Sequence, residues 1–415
     1  MKKSKIIIGI ILLITLYALT IIDHRSQINA RNTPREAPPI SDQAQRNRDL
    51  ATERREILAA INQLNQPNRP SQLLSRENML YDAEYMLAIL RADFTYFGIA
   101  YRQAGVCIYA IEAELLAAIA SAPARMNAVQ FRRLLHDYFV SQIRFAHLAV
   151  IEPNQRAATN PAFIMPLNER ISFESVIPGI AAYMNIANFL IAEHLRDEAN
   201  RAIADFYASI ADYEHLIIDF RGIPGGHLDW AIENFISPFM QDDFEDISFS
   251  FMANWESPAD FLRRDGVSRL SAQTPNDILP IGELLRRYYL PALNPDDKRL
   301  FSYGFKNTNQ IYAREIYGFD GKIWFLIGGG ASATTLAAGL VQDMELGTLV
   351  GRPTLGFTGS ARHRIPLPHS RLVLTFDAIH MTDRHGRSQE YGISPHIFAD
   401  DPLAYVLAKI ELLNH

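Results

Sequence analysis

Apolar residues recur three and four positions apart along the N-terminal third of the chain, a spacing that predicts amphipathic helices. The predicted helices are Arg54–Leu64, Leu80–Tyr96, Tyr109–Ala120 and Ala128–Ile143. No apolar/polar alternation typical of a strand interrupts them. We therefore expect a helical domain over residues 49–150.

The pattern changes in the second part of the chain, where short apolar runs alternate with helical periodicity. Gly179–Ile186 and Glu214–Asp219 read as strands, with a helix at Leu195–Ser209 between them. Nearly continuous apolar strands separated by helices are typical of an α/β body with a buried, largely parallel sheet. This predicts an α/β domain over residues 151–415, with a less regular insertion at about 241–320.

The N-terminal segment, residues 1–30, resembles a membrane-targeting element. Lysines among the first five residues precede an almost uninterrupted apolar run, Ile6–Ile22. Its length exceeds a usual signal-peptide core and just reaches the lower limit for a membrane span. We expect an uncleaved anchor, followed by a polar, proline-containing linker at residues 31–48 and a body outside the cytoplasm. A signal peptide cleaved after Ala30 is the alternative.

Composition narrows the possible partners. The chain has 415 residues, 48% of them hydrophobic, and a net charge of −6, so it can bury a large core and gives no reason to expect a nucleic-acid partner. Cys107 is the only cysteine, which excludes an internal disulfide. The histidine pairs His363/His369 and His380/His385 lack the spacing of a zinc-binding helix. We expect neither a metal nor a cofactor.

The stretch KIWFLIGGGASATTLAA, Lys322–Ala338, carries the strongest chemical signal. An apolar strand leads through three glycines to Ser332 and then to a predicted helix. Glycines allow positive φ angles and a close substrate approach, and the first N–H groups of a helix can stabilise an oxyanion. Three alternatives exist. Such turns can bind phosphates or merely pack tightly, and Ser332 could simply cap the helix.

Six segments follow one another in the order and spacing of a known family. They are LYDAEYMLAILRADFTYFGIAY, RRLLHDYFVSQIRFAHLAV, HLIIDFRGIPGG, IGGGASATTLAAGL, LVGRPTLGFTGS and QEYGISPHI. Together they span Leu80–Ile397 and resemble the C-terminal processing (tail-specific) serine proteases, which include the tricorn core protease. The resemblance implies a crotonase-like α/β body behind the N-terminal helical domain. No PDZ domain is evident between the two parts.

The resemblance also implies which residues act. Members with a Ser-Lys dyad carry a lysine where this chain has Phe357, so the tricorn-like Ser-His-Glu arrangement is expected. It makes Ser332 the nucleophile, His147 the general base and Glu390 the carboxylate that orients it. An imidazole can take the proton of a serine and return it to the leaving amine, and a carboxylate fixes its tautomer.

The resemblance implies backbone oxyanion donors at Ala333 and at Gly225 or Gly226. The chain departs from the family where Ile223 replaces an asparagine and Ala146 a glycine. We expect an envelope-located serine endopeptidase that cleaves proteins or peptides through an acyl-enzyme. A catalytically inactive module that binds an apolar ligand or a partner protein is the alternative. A crotonase-type acyl-CoA enzyme fits poorly with export.

Overall fold

The computed structural model describes residues 73–153, 166–253, 278–314 and 319–413, all within the compact unit Ile61–His415. The expected anchor, linker and helix Arg54–Leu64 lie outside the described residues. Within the described ranges, no single helix is long and apolar enough to cross a membrane. Two helices pass that test only as a pair bent by 96°, namely Phe97–Ala104 and Ile108–Ser121.

Four helices form a layer at the N-terminal side of the described chain. They are Arg76–Asp93, Phe97–Ala104, Ile108–Ser121 and Ala128–Tyr138, and a two-residue ladder, Leu74–Ser75 with Arg125–Met126, joins their ends. Ser75 caps the first helix, and Asn127 with Gln130 forms a capping box at the last. Three of the predicted helices, Leu80–Tyr96, Tyr109–Ala120 and Ala128–Ile143, overlap observed helices. The first of them ends at Asp93 and the last at Tyr138, and the helix Phe97–Ala104 was not predicted.

A six-stranded sheet forms the centre of the α/β body. In sheet order its strands are Ile397–Phe398, Thr348–Gly351, Lys322–Ile327, His215–Asp219, Ala181–Ile186 and Ile171–Ile177. The first five are parallel, and only the last is antiparallel to its neighbour. The prediction of buried, largely parallel strands is confirmed for this sheet. All five residues of His215–Asp219 are buried.

Helices cover both faces of this parallel sheet. One face packs against Glu193–Ser209, Leu228–Phe235 and Ala333–Asp343, and the other against Pro402–Leu413. Short helices lie at Leu167–Arg170, Ile281–Arg287 and Pro295–Lys298, and 3₁₀ turns at Val140–Gln142, Ser237–Phe239 and Gln389–Tyr391. Burial on both faces explains why the strands read as continuous apolar runs rather than as alternating ones.

A second, antiparallel sheet was not predicted. Its strands in sheet order are Ser360–Pro366, Val373–Thr382, Phe244–Ala253, Phe301–Ile311 and Leu279–Pro280, and Ala149–Ile151 also pairs with Val373–Thr382. The described parts of residues 241–320 are therefore more regular than expected, since they supply two of the longest strands that the structure describes. The alternation of Ile247, Phe249 and Phe251 with polar residues is a signal that could have indicated a strand there.

The helical layer and the antiparallel sheet share one hydrophobic core. Leu90, Phe94 and Phe139 pack in the same cluster as Leu374 and Phe376 of the sheet. The buried Asp82 adds a polar contact, because its carboxylate accepts from the backbone N–H groups of His369 and Ser370 at 2.9 and 2.7 Å. The helices are thus packed onto the strand Val373–Thr382, which also contributes to the site described below.

A buried histidine in this core predicts acid sensitivity. His380 stacks on Tyr96 at 4.7 Å, and burial, with a smaller effect of Arg102, lowers the pKa of His380 to about 3. Between that value and the ordinary pKa near 6.5, only the unfolded chain binds the proton, so stability falls as pH decreases through this window. We expect this residue to contribute a slope of about 1.4 kcal/mol per pH unit.

Urea unfolding from pH 7 to pH 4 checks this expectation. His380→Phe, which keeps a ring against Tyr96, should flatten the dependence of the unfolding free energy on pH. The exposed His194→Gln should leave it unchanged. A slope that is the same in His380→Phe and in the unmodified protein would assign the acid sensitivity to other groups.

Candidate active site

The strand Lys322–Ile327 lies in the middle of the parallel sheet and ends in a strained turn. Gly328 and Gly329 have φ angles of 153° and 65°, and Ser332 has φ 57° and ψ −122°. A non-glycine residue with positive φ is uncommon and persists only where its surroundings enforce it. Ser332 stands at the N-cap position of Ala333–Asp343, yet its side chain makes no capping hydrogen bond. The alternative interpretation as a helix cap therefore does not fit.

A loop from the neighbouring strand holds this turn. We call residues 352–359 the Gly356 loop. The Gly356 carbonyl accepts from the N–H of Ser332 at 2.7 Å and from the hydroxyl of Thr335 at 3.2 Å. The N–H of Leu355 donates to the carbonyl of Gly330 at 2.7 Å. The backbone of the candidate nucleophile is thus fixed on both sides of Ser332.

Gly225 lies directly against the candidate nucleophile. A Cβ added to Gly225, whose φ is 116°, would lie 2.8 Å from Ser332 Cβ and 3.3 Å from Ala333 N. Ala333 N belongs to the first turn of a helix, where N–H groups lack an intrahelical acceptor. The structure therefore brings Ser332, Ala333 and Gly225 together. Gly226 instead packs on another segment, with its Cβ position 2.4 Å from Phe189 C.

The loop that carries these glycines is anchored at the end of the strand His215–Asp219. The Asp219 carboxylate accepts from the backbone N–H of Arg221 at 2.9 Å and pairs with its guanidinium at 2.5 Å. The hydroxyl of Tyr183 donates to the same carboxylate at 2.7 Å. Asp219 therefore fixes the first residues of the segment that leads to Gly225 and Gly226.

His147 lies in a second strained turn, directly before the strand Ala149–Ile151. Both Ala146 and His147 have positive φ, 52° and 50°. The Nδ1 atom of His147 is hydrogen-bonded to Oδ2 of Asp377 at 2.5 Å, and the imidazole lies 5.5 Å from the ring of Phe357. The His147 side chain is 27% exposed, whereas Asp377 is 1% exposed. The imidazole can therefore reach a substrate while its other side is bonded to a buried carboxylate.

Glu390 is also buried, but its carboxylate is bonded to backbone rather than to the imidazole. Oε1 accepts from the N–H groups of Thr358 and Gly359 at 2.6 and 3.1 Å. Oε2 accepts from those of Ala146 and Phe357, each at 3.2 Å. Burial raises the pKa of Glu390, and these hydrogen bonds oppose the increase. Glu390 is therefore not a solvated surface residue.

The predicted site residues are thus only partly joined by direct contacts. Ser332 and His147 both border the Gly356 loop, through Gly356 and Phe357, but no hydrogen bond connects their side chains in the described part of the chain. Glu390 does not contact Nδ1 of His147; Asp377, which was not predicted, does. Among the described residues, no group of three His, Cys, Asp or Glu side chains could hold a metal.

Ile223, which stands where the family has an asparagine, contributes to the core and not to the accessible surface of the site. The Ile223 side chain is fully buried in the core of the parallel sheet. Its carbonyl accepts from the N–H of Ala331 and from the hydroxyl of Thr334, both at 3.0 Å. The carbonyl of Ile223 therefore supports the turn that carries Ser332.

Comparison with protein-family models also indicates a peptidase. The model of Peptidase family S41 matches residues 180–399, or 220 of the 415 residues. No curated protein matches the chain in sequence.

Solved structures match as well. A proposed peptidase from Parabacteroides merdae ATCC 43184 aligns with a TM-score of 0.54 and 12% identity over 81% of this chain and 97% of its own. Mature CPAF complexed with lactacystin aligns with a TM-score of 0.54 and 12% identity over 81% of this chain and 98% of its own. At this identity the similarity establishes a common fold.

Proposed function

Because this chain belongs to peptidase family S41 and is a serine peptidase, we propose that it hydrolyses peptide bonds through an acyl-enzyme formed on Ser332, with His147 as general base. One observation carries the proposal. Ser332 is held in a strained conformation at the carboxyl end of the central parallel strand, beside Gly225 and Ala333. Strain of this kind at a strand-to-helix turn displays a nucleophile to substrate.

The proposed chemistry proceeds in two steps. His147 Nε2 removes the hydroxyl proton as Ser332 Oγ bonds to the substrate carbonyl carbon, and the oxyanion accepts from the N–H groups of Ala333 and Gly225. The imidazolium returns the proton to the leaving amine as the C–N bond breaks, and water then releases the acyl group by the same route. Catalytic hydrogen bonds that are absent without substrate often form only in its complex.

The fold and the location of the enzyme are parts of the same proposal. The parallel sheet with helices on both faces supports a crotonase-like body. The apolar run Ile6–Ile22 supports attachment to a membrane, with the body on the extracytoplasmic side. Under this proposal the substrates are proteins or peptides of the cell envelope.

Covalent labelling of the full-length protein with a fluorophosphonate tests the proposal. We expect the probe to label the unmodified protein, and His147→Ala to label at least 100-fold more slowly, since an unassisted serine hydroxyl is a weak nucleophile. His136→Ala is the matched control, because His136 is half-exposed on the helix Ala128–Tyr138 and should not affect labelling. A folded protein that does not react would instead favour the inactive binding module.

A further inference from the structure

Two buried carboxylates lie next to the strained turn at Ala146 and His147, which we call the histidine turn. We infer that Asp377, rather than Glu390, orients the imidazole of His147. The inference rests on the proposed function, because it names a positioning residue of the same site. It also gives Glu390 a different task, which is to join the turn that carries His147 to the loop that holds Ser332.

Asp377 contacts the imidazole of His147 directly, and two further hydrogen bonds hold the backbone of the histidine turn. Oδ2 of Asp377 lies 2.5 Å from Nδ1 of the imidazole, and the backbone N–H of Asp377 donates to the carbonyl of Ala146 at 2.8 Å. Two residues earlier on the same strand, the hydroxyl of Thr375 donates to the carbonyl of His147 at 3.4 Å. The strand Val373–Thr382 therefore fixes both the ring and the backbone of the histidine turn.

Glu390 has no acceptor capacity left for an imidazole. An ionised carboxylate offers about four lone-pair sites. Four backbone N–H groups donate to the two oxygens of Glu390, and the hydroxyl of Thr358 lies 3.4 Å from Oε1. A further bond from Nδ1 of His147 would have to displace one of these donors and leave a buried N–H unpaired, which typically costs about 1–3 kcal/mol.

The partners of Glu390 indicate what it does instead. One donor, Ala146 N–H, belongs to the histidine turn, and the other three belong to the Gly356 loop, residues 352–359. That loop supplies the carbonyl that accepts from the N–H of Ser332. Glu390 thus connects the backbone of the base to the backbone that supports the nucleophile.

The two carboxylates therefore have separate tasks. With Asp377 accepting from Nδ1–H, Nε2 is the unprotonated nitrogen and can receive the serine proton, and the charge of Asp377 stabilises the imidazolium. Glu390 sets the distance between the histidine turn and the Gly356 loop. Asp377 is a positioning residue that acts through His147, and Glu390 is one that acts through the loops.

Two isosteric variants of the full-length protein separate these tasks. Asp377→Asn should lower kcat/KM, or the rate of fluorophosphonate labelling, by about 10²–10⁴-fold. It should also move the acid limb of the pH–rate profile to lower pH, because the imidazolium loses its counter-charge. Glu390→Gln should lower the thermal midpoint and the rate, but leave the acid limb in place. A merely structural role of Asp377 would not move the acid limb.

A measurement on the unmodified protein removes the dependence on variants that fold poorly. In nuclear magnetic resonance spectra of full-length protein with selectively ¹³C-labelled side-chain carboxyls, the Nδ1 proton of His147 should couple to an aspartate carboxyl. Coupling to a glutamate carboxyl, or an acid limb moved by Glu390→Gln and not by Asp377→Asn, would overturn the inference. This readout needs no turnover, so a failure of Ser332 to label would refute the proposed function without deciding which carboxylate binds His147.

Discussion

Replacing Ser332 with alanine should reduce peptidase turnover by roughly 10⁴–10⁶-fold and abolish fluorophosphonate labelling. The same change should leave the free energy of unfolding within about 0.5 kcal/mol of its original value. The small effect on stability follows from the structure, since the side chain makes no capping hydrogen bond and alanine meets the same backbone strain. Peptide hydrolysis and thermal melting of the purified variant are the measurements.

Ser121→Ala is the matched control for that result. The Ser121 hydroxyl donates within its own helix, to the carbonyls of Ala117 and Ala118 at 2.7 and 3.3 Å, and its position is exposed, so both activity and stability should be retained. Turnover that survives in Ser332→Ala would show that another group is the nucleophile. A large loss of stability there would mean that the serine is retained for structure.

The second large effect is expected at Gly225. An alanine Cβ would lie 2.8 Å from Ser332 Cβ, which is closer than real Cβ atoms approach a neighbour, and 3.1 Å from the carbonyl oxygen of Ala331, which is a tight contact. The nucleophile and the adjacent N–H donors must then shift, and the loss of one good oxyanion donor typically costs about 100–1000-fold in rate. We expect Gly225→Ala to lower kcat/KM at least 100-fold.

The same loop provides a control that separates steric contact from backbone strain. Gly222 has a φ of 68°, but nothing lies within 4 Å of its Cβ position. Gly222→Ala should therefore destabilise the protein by about 1–2 kcal/mol through left-handed strain and still leave the folded enzyme nearly as active. Equal activity losses in the two variants would contradict the placement of Gly225 beside the nucleophile.

Local pattern was sufficient to predict the central strands of the parallel sheet but not the antiparallel sheet. Runs such as Lys322–Ile327 are buried on both faces, and this produces a continuous apolar signal that a sequence shows directly. The strand Phe244–Ala253 carries a weaker alternating signal, since its first half is less buried. Its partner strand, Phe301–Ile311, is distant in sequence, and the local pattern of neither segment shows that the two strands pair.

The site shows the same division. Ser332 was predictable because strand, glycines and helix follow one another along the chain. Asp377 was not, since its role comes from a partner 230 residues away. A charged residue inside the buried strand VLTFDAIHMT was nevertheless an available signal, because such a residue needs a partner. Glu390 was recognised by resemblance, and its hydrogen bonds to backbone could be learned only from the fold.

The pairing of Ala149–Ile151 with Val373–Thr382 has a consequence for the order in which the protein is made. During synthesis His147 is added early and Ser332 much later. The strand Val373–Thr382, which holds His147, is made after both. Contacts between such distant segments form late, because the chain must first close a long loop. Under the proposed function, a partly synthesised or partly folded chain would carry no competent catalytic centre, and neighbouring chains would not be cleaved before the whole unit has folded.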